Sequence, residues 1–460
     1  MTERTLANVS SSPRKRGSSD FIHEEPMALD SRMRGNDEHG WRMQTLKGRI
    51  HVKHGYPFKS EHFADSGDLV VLTPGNFWEA GGFKYQTGKE KFYDAEFPPE
   101  YLHKRGDLIV AMTEQSEGLL GSMAFVPENG RYLHNQRIGK VTATSDEVNL
   151  GFLYYAFRMT SVRTQLSNTA SGSKVRHTSP ERIYDVSLPV PPVVEQQKIA
   201  AVLSALDAKI DLNQRINAEL EALAKTIYDY WFVQFDFPDA HGRPYKSSGG
   251  AMVWNDTLKR EIPAGWEAGL LDDLGQIVGG STPSTANPEH FGKGMIPWIT
   301  PKDLSNNKGN KFIARGETDV SEAGKRSASL TLYPAGTVLM SSRAPVGYLA
   351  IAINPVTTNQ GFKSFVPTKG YGTSFVYYAV ERSLPTIIQY ASGSTFVEIS
   401  GGVLKSVHAV LPDKSVTSNF CNQIDCIVKR QQQAEVENIE LTQLRDWLLP
   451  LLMNGQVRVA

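Results

Sequence analysis

The chain is written twice. Gly40-Trp41 returns as Gly265-Trp266, 225 residues later, and Leu72-Thr73-Pro74-Gly75-Asn76 returns as Ile299-Thr300-Pro301-Lys302-Asp303 after 227. Asn135-Gln136 reappears as Asn359-Gln360 at an offset of 224, and Phe152-Leu153-Tyr154-Tyr155-Ala156 as Phe375-Val376-Tyr377-Tyr378-Ala379 at 223. Ala170-Ser171-Gly172-Ser173 matches Ala391-Ser392-Gly393-Ser394, and Asn217-Ala218-Glu219-Leu220 matches Asn438-Ile439-Glu440-Leu441, both at 221. Each match is short, but their common order and slowly drifting offset identify a duplication. Whatever one half folds into, the other half must fold into as well.

Each copy has a globular part and a helical part. The globular parts, residues 40–190 and 265–411, carry short apolar runs punctuated by Gly and Pro. Runs 67–72 and 106–111, and their counterparts 296–299 and 334–340, read as buried strands entered from turns. Helical stretches at 149–166 and 373–389 interrupt them, so each globule is mixed α and β. The helical parts, about 194–233 and 414–449, contain no Gly or Pro, and Pro450 is expected to end the second.

The first helix carries a seam at Ile199, Leu203, Leu206, Ile210, Asn213, Asn217, Leu220, Ala224, Ile227 and Trp231, stepping by three and four. The second continues it at Phe420, Ile424, Ile427, Gln431, Ala434, Asn438, Leu441, Arg445 and Leu448. This is heptad spacing. Such a stripe must meet a partner, and two equivalent helices in one chain most simply pack on each other. Polar Asn and Gln in mid-seam cost stability but fix register. The expected fold class is α+β, with two mixed α/β domains joined by two long coiled-coil helices in an internal repeat. The divisions are an N-terminal extension (1–39), a first domain (40–190), a first helix (191–235), a linker (236–264), a second domain (265–411) and a second helix (412–455).

Residues 1–39 are Ser-rich and charge-rich, with the basic cluster Arg14-Lys15-Arg16. They suit a disordered extension better than a nucleic-acid or localisation arm. No apolar run approaches the roughly 18 residues of a membrane span, and no secretory segment opens the chain. Two cysteines, Cys421 and Cys426, cannot build a disulfide framework or a zinc site. The chain is expected to be cytoplasmic, with free thiols that are buried or half-buried.

Catalytic patterns are missing. The segment 82–90 has the wrong spacing for a phosphate-cradling loop and ends in Glu90. No G-x-G-x-x-G follows a strand. No [DNS]-P-P-[YFW] is present to grip an amine, and the Pro-Asp pairs at 238 and 412 lack the downstream residues of a metal-dependent nuclease. The eleven histidines are scattered.

Polar groups instead gather where strands end. In the first copy these are Asn76, Thr113 and Gln115; in the second they are Lys302, Asp303, Ser341, Ser342 and Arg343. Such side chains read base edges and phosphates, and both copies keep the polarity while changing the residues. The alternative is solvated loops. The Ala-Ser-Gly-Ser motif offers amides and hydroxyls to a phosphate through Ser171 and Ser173, followed by Lys174 and Arg176, and again through Ser392 and Ser394. Its glycine is equally explained as a helix C-cap.

With these segments in view the chain resembles the specificity subunits of type I restriction–modification systems. The resemblance is carried by Leu188-Pro189-Val190-Pro191-Pro192 leading into Glu195-Gln196-Gln197-Lys198-Ile199, and by Leu203-Ser204-Ala205-Leu206-Asp207-Ala208-Lys209-Ile210. It continues through Ile227-Tyr228-Asp229-Tyr230-Trp231-Phe232, Phe235-Asp236-Phe237 and Glu261-Ile262-Pro263-Ala264-Gly265-Trp266. The start of the second helix, Pro412-Asp413-Lys414-Ser415, lacks the Glu-Gln-Gln-Lys run.

The resemblance implies a non-catalytic subunit in which each globule reads one half of a bipartite double-stranded DNA site and the helices, running antiparallel in a pseudo-two-fold arrangement, set the spacer. It implies two methyltransferase subunits carrying S-adenosylmethionine, and motor-endonuclease subunits using ATP and Mg. An unrecognised nuclease or methyltransferase, or a protein–protein scaffold, are the other readings. Lys+Arg 49 balance Asp+Glu 49. The domains are near neutral too, with 18 basic and 16 acidic residues in 41–190 and 12 and 11 in 261–411. The isolated chain is therefore expected to bind DNA weakly and in a salt-sensitive manner, and tightly only with its partners.

Overall fold

The computed structural model describes residues 41–114, 118–343, 345–391 and 398–459. The extension 1–39, Gln115, Ser392 and Ser394 lie outside the described residues. The chain forms two compact units, one of residues up to 199 with those from 452 onward, the other Ala200–Leu451.

In the first unit, Ile50–His54, Ile138–Ala143, Leu108–Ala111 and Met123–Phe125 form an antiparallel sheet in that order. A second sheet orders Phe63–Ala64, Phe92–Tyr93, Val70–Leu72 and Tyr132–His134. Leu72, Ile109, Ala111, Leu133 and Ile138 are fully buried, as near-continuous apolar runs require when both faces of a strand are covered. Both expected strands are shorter than their runs. Gly106 turns at φ +86, so the strand starts two residues later. The expected helix at 149–166 is two helices, Leu150–Ala156 and Thr160–Thr169, broken at Phe157. Arg42–Thr45 pairs antiparallel with Ser187–Val190, which ties the start of the domain to its end.

The second unit repeats the plan. Gln276–Val278, Ser364–Val366, Val338–Met340, Leu349–Ala352 and Phe312–Ile313 form one sheet; Phe291–Gly292, Thr318–Val320, Ile296–Ile299 and Thr357–Thr358 form the other. Glu267–Leu270 pairs with His408–Leu411, the counterpart of the tie in the first unit. The segment 236–264 holds a hairpin of Met252–Asn255 with Arg260–Pro263, and Phe237 stacks on Trp266 at 5.0 Å.

The first long helix is Val193–Tyr228 and continues as a π-turn, Asp229–Val233. The second is Lys414–Met453 and passes through Pro450. Pro450 therefore does not end it. A proline in the last turn removes one hydrogen bond, and burial of Leu449, Leu452 and Met453 holds the turn in place.

Within the second unit the seam residues Leu203, Ala224, Phe420 and Ile424 are fully buried; Leu206, Ile210, Leu220, Ile227, Asn438, Leu441 and Leu448 are half-buried. Ile199 is buried in the first unit. Asp207 meets Arg445 at 2.8 Å, Asn213 donates to Glu437 and Asn438 at 2.8 and 3.0 Å, and Asn217 donates to the Gln431 carbonyl at 3.4 Å. Partners fall in number on one helix as they rise on the other, so the pair is antiparallel. These cross-helix polar contacts fix the register of the pair. Cys421 is half-buried, but Cys426 is exposed: it lies on the helix face away from the seam.

One polar cluster sits beneath the second domain. Lys311 is 5% exposed and its ammonium meets Glu221, Tyr378 and Gln431, while Glu435 accepts the backbone N–H groups of Lys311 and Phe312 at 2.9 and 2.8 Å. Burial outweighs those two hydrogen bonds and pushes the Glu435 carboxyl up to about 7. An acid whose folded pKa is raised gives its full stability below its unfolded value, and loses it as pH rises through the folded one. Glu435→Gln should therefore flatten the fall in melting temperature between about pH 4.5 and 7. Thermal melts across that range check it; an unchanged slope would assign the titration elsewhere.

Candidate nucleic-acid interface

In each unit two neighbouring strands run parallel, so the chain leaves both at the same end. Leu72 pairs with His134 in the first, and Ile299 with Thr358 in the second. Parallel neighbours deliver two loops side by side, and in both units these loops are a Thr-Pro turn and an Asn-Gln turn.

The Thr-Pro turns are capping boxes. The Thr73 amide donates to Asn76 Oδ1 at 2.8 Å, and the Thr300 amide donates to Asp303 Oδ2 at 2.7 Å. Asn76 also donates to the Lys84 carbonyl, and Asp303 accepts from the Glu317 amide. Both side chains are buried, so they build the loop; as they stand they do not face a ligand. Thr-Pro-x-Asn/Asp carries the capping signature in its spacing. Lys302 stays exposed and pairs with Glu317 at 2.8 Å.

A third segment runs alongside, with identical bonding in both units. The Met112 amide donates to the Arg137 carbonyl and the Thr178 amide to the Met112 carbonyl, both at 2.9 Å. Correspondingly, the Ser342 amide donates to the Gly361 carbonyl at 2.8 Å and the Ile399 amide to the Ser342 carbonyl at 3.0 Å. Thr113 beside His177 (3.0 Å) thus occupies the place of Arg343 beside Glu398 (4.0 Å). Thr113, Ser341 and Ser342 are buried; Ser341 donates to the Pro345 carbonyl and accepts from the Tyr348 amide. Only Arg343 of these keeps part of its side chain, 35%, in solvent.

The first Ala-Ser-Gly-Ser motif is a tight turn and not a helix cap. The helix ends at Ala170 with extended backbone, and Ser171 exchanges backbone hydrogen bonds with His177 at 3.0 and 2.8 Å. Gly172 has φ +99, and a Cβ there would lie 2.1 Å from the Val175 carbonyl oxygen. The turn therefore demands glycine. Ser171, Ser173 and Lys174 are exposed on it, while Arg176 is held inward by Glu114 at 3.3 Å and by the Ser167 carbonyl. Arg182 donates to Ser171 Oγ at 3.2 Å.

Sequence reasoning missed the second turn as a site. Asn135 Oδ1 accepts the Arg137 amide at 3.0 Å, and Asn359 Oδ1 accepts the Gly361 amide at 2.9 Å. Each Asn thus folds the turn, and Gln136, Arg137 and Gln360 stand exposed at its tip. The repeat match Asn135-Gln136 with Asn359-Gln360 was the available signal. Gly55 and Gly280 press against the carbonyls below these turns. In the first unit Gln136, Arg137, Thr73, Lys91, Phe58 and Phe63 border a hollow of about 490 Å³. Among the described residues no cluster of three His, Cys, Asp or Glu side chains could hold a metal, and no helix is long and apolar enough to cross a membrane.

Two domains, each presenting the same set of polar turns at the carboxyl ends of parallel strands, together with two long helices, define a duplicated recognition chain. It belongs to the type I restriction modification DNA specificity domain family, whose profile matches residues 38–222 and 263–438. The specificity subunit of the MjaIX enzyme of Methanocaldococcus jannaschii is 39% identical over 41% of this chain and 45% of its own length. That of the HindI enzyme of Haemophilus influenzae is 28% identical over 60% and 70%. The chain thus spans about half of the first relative. The crystal structure of a type I restriction–modification S subunit from M. genitalium has a TM-score of 0.58 over 92% of this chain and 98% of its own, at 14% identity, a likeness of fold.

Proposed function

We propose that this chain is the sequence-specific DNA-recognition subunit of a type I restriction–modification complex. Each globular domain, 40–190 and 265–411, reads one half of a bipartite double-stranded site, and the chain itself catalyses nothing. The observation that carries this is the duplication of one polar loop set around a shared exposed glutamine, with other outward positions changed between the copies, as Gly75 against Lys302 and Arg137 against the buried Gly361. Two readers of unlike half-sites need that arrangement. The helices act as an antiparallel coiled coil of pseudo-two-fold design that sets the spacer and docks two methyltransferase subunits. Those subunits supply S-adenosylmethionine, motor-endonuclease subunits supply ATP and Mg chemistry, and the assembly works in the cytoplasm.

Selection of bound sequences from random duplexes, at low salt and with the full chain, tests this. The expected product is two short motifs at a fixed separation. Adding seven residues to each long helix, near 213–217 and 431–438, lengthens the pair by about 10 Å. That should widen the spacer by about three base pairs while leaving both motifs intact. A spacer that does not move would show that the helices are not the ruler. Methyl transfer or cleavage by the chain alone would favour an enzyme, and failure to select any motif would favour a protein scaffold.

A further inference from the structure

The two Asn-Gln turns differ in one respect that their shared backbone makes informative. In the first domain the residue after Gln136 is Arg137, exposed at the tip. In the second, the same place is Gly361, which is buried. A Cβ built on Gly361 would lie 2.8 Å from Pro301 Cγ and 3.4 Å from Arg343 Nε. Pro301 and Asn359 Oδ1 (3.0 Å) thus close the space where an Arg137-like side chain would begin, and the guanidinium of Arg343, delivered from the neighbouring segment, lies at contact distance just beyond them. In the first domain that segment carries Thr113 at the equivalent position, which is buried and occupied by His177. In both domains an arginine thus stands at or against the residue that follows the exposed glutamine, Arg137 itself in the first and Arg343 against Gly361 in the second, reached by two different routes through the chain.

The glutamine is the side chain common to both copies, and its surroundings do not use it up. Gln136 is exposed above the hollow of the first domain. Gln360 is exposed, and its Oε1 accepts the Thr282 hydroxyl; one lone pair stays open, and its NH₂ group makes no hydrogen bond among the described residues. An amide with both ends available matches the N6/N7 edge of adenine, and an arginine fork matches the O6/N7 edge of guanine. Resting on the DNA-recognition reading above, we infer that Gln136 with Arg137, and Gln360 with Arg343, are the base-reading pairs of the two domains. Each contributes an adenine and an adjacent guanine contact in the major groove. The buried capping residues Asn76 and Asp303 hold the adjoining turn, so substitutions at the glutamines change what is read and not how the loop folds.

Full-length chain and its variants, each selected against a duplex library with randomised positions, provide the test. Gln136→Ala should reduce the preference for one adenine about ten-fold or more, in one half-motif only, and Gln360→Ala should do so in the other. Arg137→Lys and Arg343→Lys keep the charge but lose the fork. They should keep overall affinity while relaxing the guanine position. Melting temperatures confirm that the variants fold. Should the wild type select a bipartite motif and all four variants select it unchanged, this assignment is overturned while the DNA-recognition reading survives. Should Gln136→Ala relax both halves equally, the assignment is overturned as well. A wild type that selects no motif removes both.

Discussion

Lys311→Ala should destabilise the chain by about 3 kcal/mol or more, the largest loss expected from any single polar substitution. Its ammonium lies in a pocket with Glu221 from the first long helix, Gln431 from the second, and Tyr378 from the second domain. Burial works to raise the Glu221 carboxyl, yet the Lys311 charge and the Gln431 amide outweigh it and hold the carboxyl below its usual value. Removing the lysine leaves a carboxylate in a largely buried site without its counter-charge, which typically costs ~3–5 kcal/mol. Glu221 keeps 24% of its side chain exposed, so the lower end applies. The paired replacement Lys311→Met with Glu221→Leu should recover most of the loss, because the Glu221 carboxylate stripped of its counter-charge is then gone as well. Chemical denaturation of the single and double variants measures it. A double variant no more stable than the single one would show that the network contributes through its hydrogen bonds and not through charge pairing.

Gly55→Ala should distort the first domain's Asn-Gln turn, the turn proposed to read DNA. A Cβ at residue 55 would lie 2.0 Å from the Asn135 carbonyl oxygen and 2.3 Å from the His134 carbonyl oxygen, both backbone. No side-chain rotation can relieve that overlap, so the backbone at His134 and Asn135 must move away. The cost should be about 2–3 kcal/mol, at the upper end for overpacking. Because Asn135 sets the Gln136 turn, one half of the recognised site should be lost with it. Gly280→Ala should act in the same way on the other half, since its Cβ would lie 2.1 Å from the Thr358 carbonyl oxygen. Gly67→Ala is the control. Its nearest contact would be 3.4 Å from a Phe92 side-chain atom, and its stability and selected motif should be those of the wild type. Melting curves and motif selection on the three variants separate strain from a general loss of fold.

Much of the organisation is legible in the residues. The drifting repeat offset announces two equivalent domains, and the equivalent ties of Arg42–Thr45 with Ser187–Val190 and of Glu267–Leu270 with His408–Leu411 follow that plan. The three-and-four spacing of apolar residues locates both helices, since that periodicity arises from the helix itself. Pro450 misleads because a proline's effect depends on where in the helix it falls, and buried neighbours carry the last turn past it.

The candidate site divides differently. Polar type at a strand end does not say whether a side chain faces solvent or caps its own turn. Asn76 and Asp303 cap; Ser341 and Ser342 are buried in a ladder. Thr-Pro-x-Asn/Asp contained that information as a cap signature, whereas the burial of Ser342 depends on a partner, Ile399, far along the chain.

Sequence alone determined the duplication, the two helices and the polar positions of their seam, because each rests on local periodicity or on self-similarity; the family rests on resemblance to known sequences. Only the tertiary structure decided which polar groups stand outward. Exposure is set by segments that meet from distant parts of the chain, as when Pro301 and Arg343 pack against the backbone of Gly361.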